Sequence, residues 1–113
     1  MCVENKIFPN ILKQNFTADA KNKIWCTDFT YIRLSNGKMC YNCTIIDLYD
    51  RCAVASLASS YINTELAIDT LKRAIKNEKP DFGLILHSDQ GCQFMSWRFV
   101  NFCKSKIIIQ SMG

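Results

Sequence analysis

The chain has 113 residues, 49% of them hydrophobic, and a formal net charge of +4. That is enough for one small domain with a real core, and it excludes two domains and a disordered chain. The charge is too mild and too dispersed to point to nucleic acid by itself; on charge alone the basic residues are an ordinary solvated surface.

No apolar run is long enough to span a bilayer, and Met1-Cys2-Val3-Glu4-Asn5-Lys6 lacks the apolar block of a signal peptide. The expected location is therefore cytoplasmic, with no membrane partner. Seven cysteines are present, and without a secretory signal they read as reduced thiols. Cys40-x-x-Cys43 has the spacing of half a zinc site. There is no second pair, and positions three apart on a strand face opposite ways, so structural zinc is not expected.

Met1 to Asn22 reads as an irregular arm and residues 23–113 as one folded unit. Ile24 to Leu34 is rich in aromatic and β-branched residues and predicts a strand. Ser35-Asn36-Gly37-Lys38 predicts a hairpin turn. Met39 to Asp47 predicts the second strand, Tyr49-Asp50-Arg51 a tight turn, and Cys52 to Ser59 a third, alanine-weakened strand. Asn63 is a good N-cap, and Glu65 sits in the first turn of the helix that follows. Ala67, Leu71, Ala74 and Ile75 form its apolar stripe, and Pro80 ends it. Gly83 to His87 is continuously apolar, as in a parallel strand buried on both faces. Ser96 caps a second helix from Trp97 to about Ser105. Lys106 stands where a helix stop favours glycine, which predicts a strained corner. Ile107 to Ile109 predicts a fifth strand. The order is βββαβαβ, an α/β fold with a mixed sheet.

Two aspartates stand out. Asp28 lies in Trp25-Cys26-Thr27-Asp28-Phe29-Thr30-Tyr31, inside the first strand. Asp89 lies in Leu86-His87-Ser88-Asp89-Gln90-Gly91-Cys92-Gln93-Phe94, just past the fourth. Carboxylates where strands end are hard-cation ligands, and paired hard cations clamp the oxygens of a phosphoryl transfer. Gly91 suits a loop whose backbone approaches a ligand. Gln93 can reach a phosphate or base edge, and Ser96 stands at a helix N-terminus that offers amides to a phosphate. Each residue also has an ordinary reading: a lone strand Asp is often a satisfied structural acid, Asp47 and Asp50 are explained by a turn, and Trp25 and Trp97 are core anchors.

The block Asn22 to Tyr31 resembles the opening of the integrase catalytic core in insertion-sequence transposases, the OrfB-type DDE enzymes related to retroviral integrases. Ile45-Ile46-Asp47-Leu48-Tyr49-Asp50-Arg51 resembles their second-strand turn, Leu86 to Phe94 their second catalytic block, and Gln110-Ser111-Met112 the approach to their third acid. The resemblance runs from about Phe16 to Met112. It implies an RNase H-like fold, DNA as partner at transposon ends and target, and an Asp-Asp-Glu set holding Mg²⁺ or Mn²⁺. It also implies end cleavage and strand transfer by direct transesterification. Asp28 would bridge two ions and Asp89 hold one; their separation, 89 − 28 = 61 residues, is like the family's.

Glu4, Glu65 and Glu78 all precede Asp89, and none stands where the third acid belongs. The chain thus reads as a partial core without its C-terminal helices, inactive alone and binding metal weakly. An uncovered apolar sheet surface would then favour marginal stability, self-association or association with an intact transposase. The alternative is a non-catalytic remnant that binds DNA or transposase.

Overall fold

A computed structural model describes residues 18–113. Most of the expected irregular arm lies outside the described residues. Within them the order is β1 (Ile24–Arg33), β2 (Met39–Asp47), β3 (Ala53–Ser59), α1 (Thr64–Glu78), β4 (Ile85–Ser88), α2 (Cys92–Met95), α3 (Trp97–Ser105) and β5 (Ile109–Met112). One five-stranded sheet has the order β3-β2-β1-β4-β5. β1, β2 and β3 pair antiparallel as a meander, while β4 pairs parallel to β1 and to β5. This is the mixed α/β sheet that the sequence predicts.

The hairpin turn is set by Asn36 and Gly37. Gly37 adopts φ 84°, open to glycine at no steric cost. Asn36 Oδ1 accepts from the Lys38 amide at 3.0 Å. α1 starts where the sequence predicts: Asn63 is extended, and its side chain accepts from the Leu66 amide at 3.0 Å. Lys79 ends the helix in the left-handed region, and its amide bonds Ile75 O.

The core lies on one face of the sheet. Trp25, Ile45, Ala55 and Leu86 meet Ala67, Ile68, Leu71 and Ala74 from α1 and Phe99 and Cys103 from α3. Phe94 of α2 stacks on Phe29 at 5.0 Å and meets Phe99 edge-on at 5.5 Å. Arg98 of α3 pairs with Glu65 of α1 across the two helices. On the opposite face Asn42, Thr44 and Ser56 form a hydrogen-bonded polar ladder. That part of the open face is polar, not the bare apolar surface the sequence suggests.

Three local features differ from expectation. Residues 92–95 form a one-turn helix, α2, in a stretch that reads as loop. The fifth strand starts at Ile109, two residues later than predicted. The strained corner is real but falls on Ile107, at φ 55°, one residue past Lys106. Cys26, Cys40, Cys43, Cys52 and Cys103 are free thiols, whereas Cys92 is disulfide-bonded, so the expectation of reduced cysteines fails there.

Candidate functional site

β1 and β4 are adjacent and parallel, with Cys26 opposite His87. Two residues further along each chain come Asp28 and Asp89. Side chains alternate along a strand, so Asp28 shares the face of Cys26 and turns away from the buried face of Trp25 and Thr27. Asp89 follows the last residue of β4, where the strand gives way to the loop before α2. Both aspartates are exposed.

The Cys26 thiol senses the pair. Burial pushes its pKa up, Asp28 raises it further, Arg51 opposes, and Asp89 also raises it. Both carboxylates therefore lie within electrostatic reach of one sulfur. The sequence had no means to mark Cys26 in this role, because the cross-strand neighbour appears only with the register.

Each carboxylate is oriented by a backbone amide. Asp28 Oδ1 accepts from the Phe29 amide at 2.9 Å. Asp89 Oδ1 accepts from the Gly91 amide at 2.8 Å. A Cβ on Gly91 would sit 2.9 Å from Asp89 Oδ1, although its backbone (φ −64°, ψ 150°) suits any residue. Glycine is needed here to leave room for the carboxylate.

Gln93 lies in α2, with Oε1 3.5 Å from that same Cβ position. Ser96 is used by its own helix: its hydroxyl accepts from the Phe99 amide at 3.3 Å and donates to Gln93 O at 3.0 Å. Gln93 and Ser96 line a cavity of about 220 Å³ with Asn63 and Thr64, apart from the aspartates. The structure thus groups Gly91 with Asp89 and places Ser96 elsewhere.

β5 fastens the far side of the site. Buried His87 Nδ1 and Ser111 Oγ lie 2.9 Å apart, and Gln110 Nε2 donates to Phe94 O at 3.0 Å. The Gly113 amide donates to Ser88 O at 3.1 Å, so the last residue lies beside the approach to Asp89. Burial lowers the His87 pKa, which keeps the imidazole neutral.

The donor set is hard oxygen, which fits Mg²⁺ or Mn²⁺ and not a thiophilic ion. Among the described residues, no group of three or more His, Cys, Asp or Glu could hold a metal ion. Cys40 and Cys43 accordingly take part in no such cluster. No helix is long and apolar enough to cross a membrane.

The integrase core domain family model matches residues 18–113. The transposase for insertion sequence element IS904 of Lactococcus lactis is 40% identical over 91 residues, covering 80% of this chain and 36% of the relative. Transposase InsF for insertion sequence IS3fB of Escherichia coli is 34% identical over 87 residues, covering 77% and 30%. The chain thus spans about a third of the length of these relatives. Among solved structures, the HTLV-2 integrase catalytic core domain in complex with magnesium (dimeric form) superposes with a TM-score of 0.74 at 22% identity, covering 84% of this chain and 63% of that one. A simian T-cell lymphotropic virus intasome, in complex with PP2A regulatory subunit B56 gamma, gives 0.77 at 20% identity, covering 86% and 34%. At such identity these two speak for the fold, which is RNase H-like. With the family match spanning every described residue, the chain belongs to the integrase core domain family, as a catalytic core of the insertion-sequence transposase type.

Proposed function

We propose that this chain forms the metal-holding floor of a DNA transposase core, with Asp28 and Asp89 as two carboxylate ligands of Mg²⁺ or Mn²⁺. The observation that carries the reading is the parallel β1–β4 register, in which Cys26 faces His87 and the two aspartates follow in step. When bound, such a cation neutralises charge on a reacting phosphate and polarises the attacking oxygen. The protein's own part is to hold the ligands still. Asp28 is fixed on a strand paired on both sides at its start, and Asp89 is fixed by the Gly91 amide. Gly91 then acts through Asp89, not on DNA directly, while Gln93 is placed to reach a passing phosphate.

The substrate in this reading is DNA, at transposon ends and target. Water first cuts the phosphodiester at the element end and frees a 3′-hydroxyl. That hydroxyl oxygen attacks a target phosphorus, one P–O bond forms as the target P–O3′ bond breaks, and the departing 3′-oxygen takes up a proton. Diester bonds are conserved in the joining step, so no energy source is required.

Two carboxylates hold one hard cation weakly and a pair of cations poorly, because ligand charge sets affinity. The 113-residue chain alone is therefore expected to join no DNA. A second reading, a non-catalytic module that binds DNA or a transposase, is favoured by the absence of a third ligand among the described residues.

The test uses a full-length transposase carrying this sequence, a labelled transposon-end duplex, and Mg²⁺ or Mn²⁺. Asp28→Asn and Asp89→Asn should each abolish end cleavage while leaving duplex binding intact. Cleavage at the parent rate by either variant overturns the proposal.

A further inference from the structure

The β1–β2 ladder runs on well past the rim that carries the aspartates. β1 loses its β4 partner after Cys26, yet pairs with β2 as far as Arg33 opposite Met39. The hairpin thus projects as an arm, with β3 beside it as far as Tyr41 opposite Ser59. α1 covers Ile45 and Ala55 but leaves the outer end of this face open.

A groove of about 650 Å³ occupies that end, lined by Leu34, Lys38, Met39, Tyr41, Ser59 and Tyr61 among others. Tyr61 is 71% exposed and Tyr31 68% exposed, and the Tyr31 ring leans on Tyr41 at 6.4 Å. The rim is built. Leu34 N donates to Lys38 O at 2.7 Å, Gly37 N to Leu34 O at 2.9 Å, and Asn36 holds the Lys38 amide.

The charge here is one-sided. No Asp or Glu occurs between Asp28 and Asp47, or between Asp50 and Glu65, while Arg33 and Lys38 stand on the arm. Neither forms an ion pair among the described residues. Tyrosine faces stack on any base, and a lysine beside them meets the phosphate. A base is available for stacking only where a strand is unpaired.

We propose that this groove holds unpaired DNA, with bases against Tyr61 and Tyr41 and a phosphate on Lys38, beside the rim that bears Asp28 and Asp89. The choice of nucleic acid over a protein occupant follows from the acid-free, lysine-edged lining and its continuity with that rim. The choice of DNA rests on the transposase reading above.

The experiment measures fluorescence anisotropy of the 113-residue chain without divalent cation. The probes are an oligothymidylate roughly twelve nucleotides long and a blunt duplex of the same length. The oligothymidylate should bind more tightly than the duplex. Tyr61→Ala should weaken that binding about tenfold, the loss of one stacked base, and Tyr61→Phe should restore it. Lys38→Glu should weaken binding and flatten its salt dependence, and Lys76→Glu on α1 should do neither. Any of three results overturns the proposal: Tyr61→Ala binding as the parent does, Lys76→Glu losing as much as Lys38→Glu, or self-association that Tyr61→Ala abolishes without changing oligonucleotide affinity. The two readings fail separately. If the groove is wrong, Tyr61→Ala leaves oligothymidylate binding unchanged while Asp28→Asn still abolishes end cleavage by the full-length enzyme. If the catalytic reading is wrong, Asp28→Asn cleaves while the groove still binds.

Discussion

Replacing Gly91 by alanine separates cation binding from folding. The backbone at Gly91 is an ordinary extended one, so alanine costs nothing there and reduces unfolded-chain entropy, which favours the fold by about 0.4–1 kcal/mol. The new Cβ would lie 2.9 Å from Asp89 Oδ1, where ordinary contact begins at 3.4 Å, so the carboxylate must move by at least 3.4 − 2.9 = 0.5 Å. Metal-ligand distances tolerate about 0.2 Å. The move also breaks the 2.8 Å bond from the Gly91 amide, a hydrogen bond to a charged acceptor worth about 1.5–3 kcal/mol. Losing half of that in orientation is about a tenfold loss of affinity. The assay is Mn²⁺ titration followed by electron paramagnetic resonance, with thermal unfolding as the control. Gly91→Ala should show Mn²⁺ binding about tenfold weaker at an unchanged or slightly raised Tm. Unchanged Mn²⁺ affinity would refute the idea that this glycine makes room for a ligand carboxylate.

Other expectations concern the fold. Trp25 is fully buried and its indole donates to Asn22 Oδ1 at 3.2 Å; Trp25→Ala should cost about 3–5 kcal/mol, read as a Tm lower by about 15 °C or more. Ile107 is a β-branched residue at φ 55° and 53% exposed, so Ile107→Gly should relieve strain at little cost in burial and raise stability by about 1 kcal/mol in chemical denaturation. Burial pushes the Cys103 thiol up to about 12 from 9.0, so the folded chain keeps a proton that the unfolded chain loses. Its contribution is therefore complete below pH 9.0 and declines as pH rises towards 12, by up to about 4 kcal/mol. Urea unfolding of Cys103→Ala against the parent should show a flatter alkaline decline, and parallel curves would count against the assignment.

Much of this architecture is written in local pattern. The aromatic and β-branched run after Ile24, the Asn36-Gly37 turn, the Asn63 cap and the stripe from Ala67 to Ile75 each fix an element by short-range physics. Asp28 and Asp89 could be singled out as candidates for the same reason, since a carboxylate at a strand end in such a block is chemically conspicuous. Their juxtaposition was not legible from spacing, because it depends on β4 choosing β1 as its parallel neighbour. The reason for Gly91 was hidden as well: it looked like a backbone near a ligand and is a gap for the Asp89 oxygen. The late start of β5 was missed because Gln110 and Ser111 are polar. They are buried only because Phe94 O and His87 satisfy them, and both partners are distant in sequence. A four-residue helix such as α2 has too few positions for a period to show.

The account stands or falls on one cation reaching both aspartates. The direct measurement is Mn²⁺-induced broadening of backbone amide resonances in the isotopically labelled chain. The amides of Phe29 and Gly91 should broaden together at the lowest Mn²⁺ concentrations, and either Asp28→Asn or Asp89→Asn should remove both effects. Broadening at one amide without the other, or at Gly91 alone in Asp28→Asn, would mean that the two carboxylates do not share an ion.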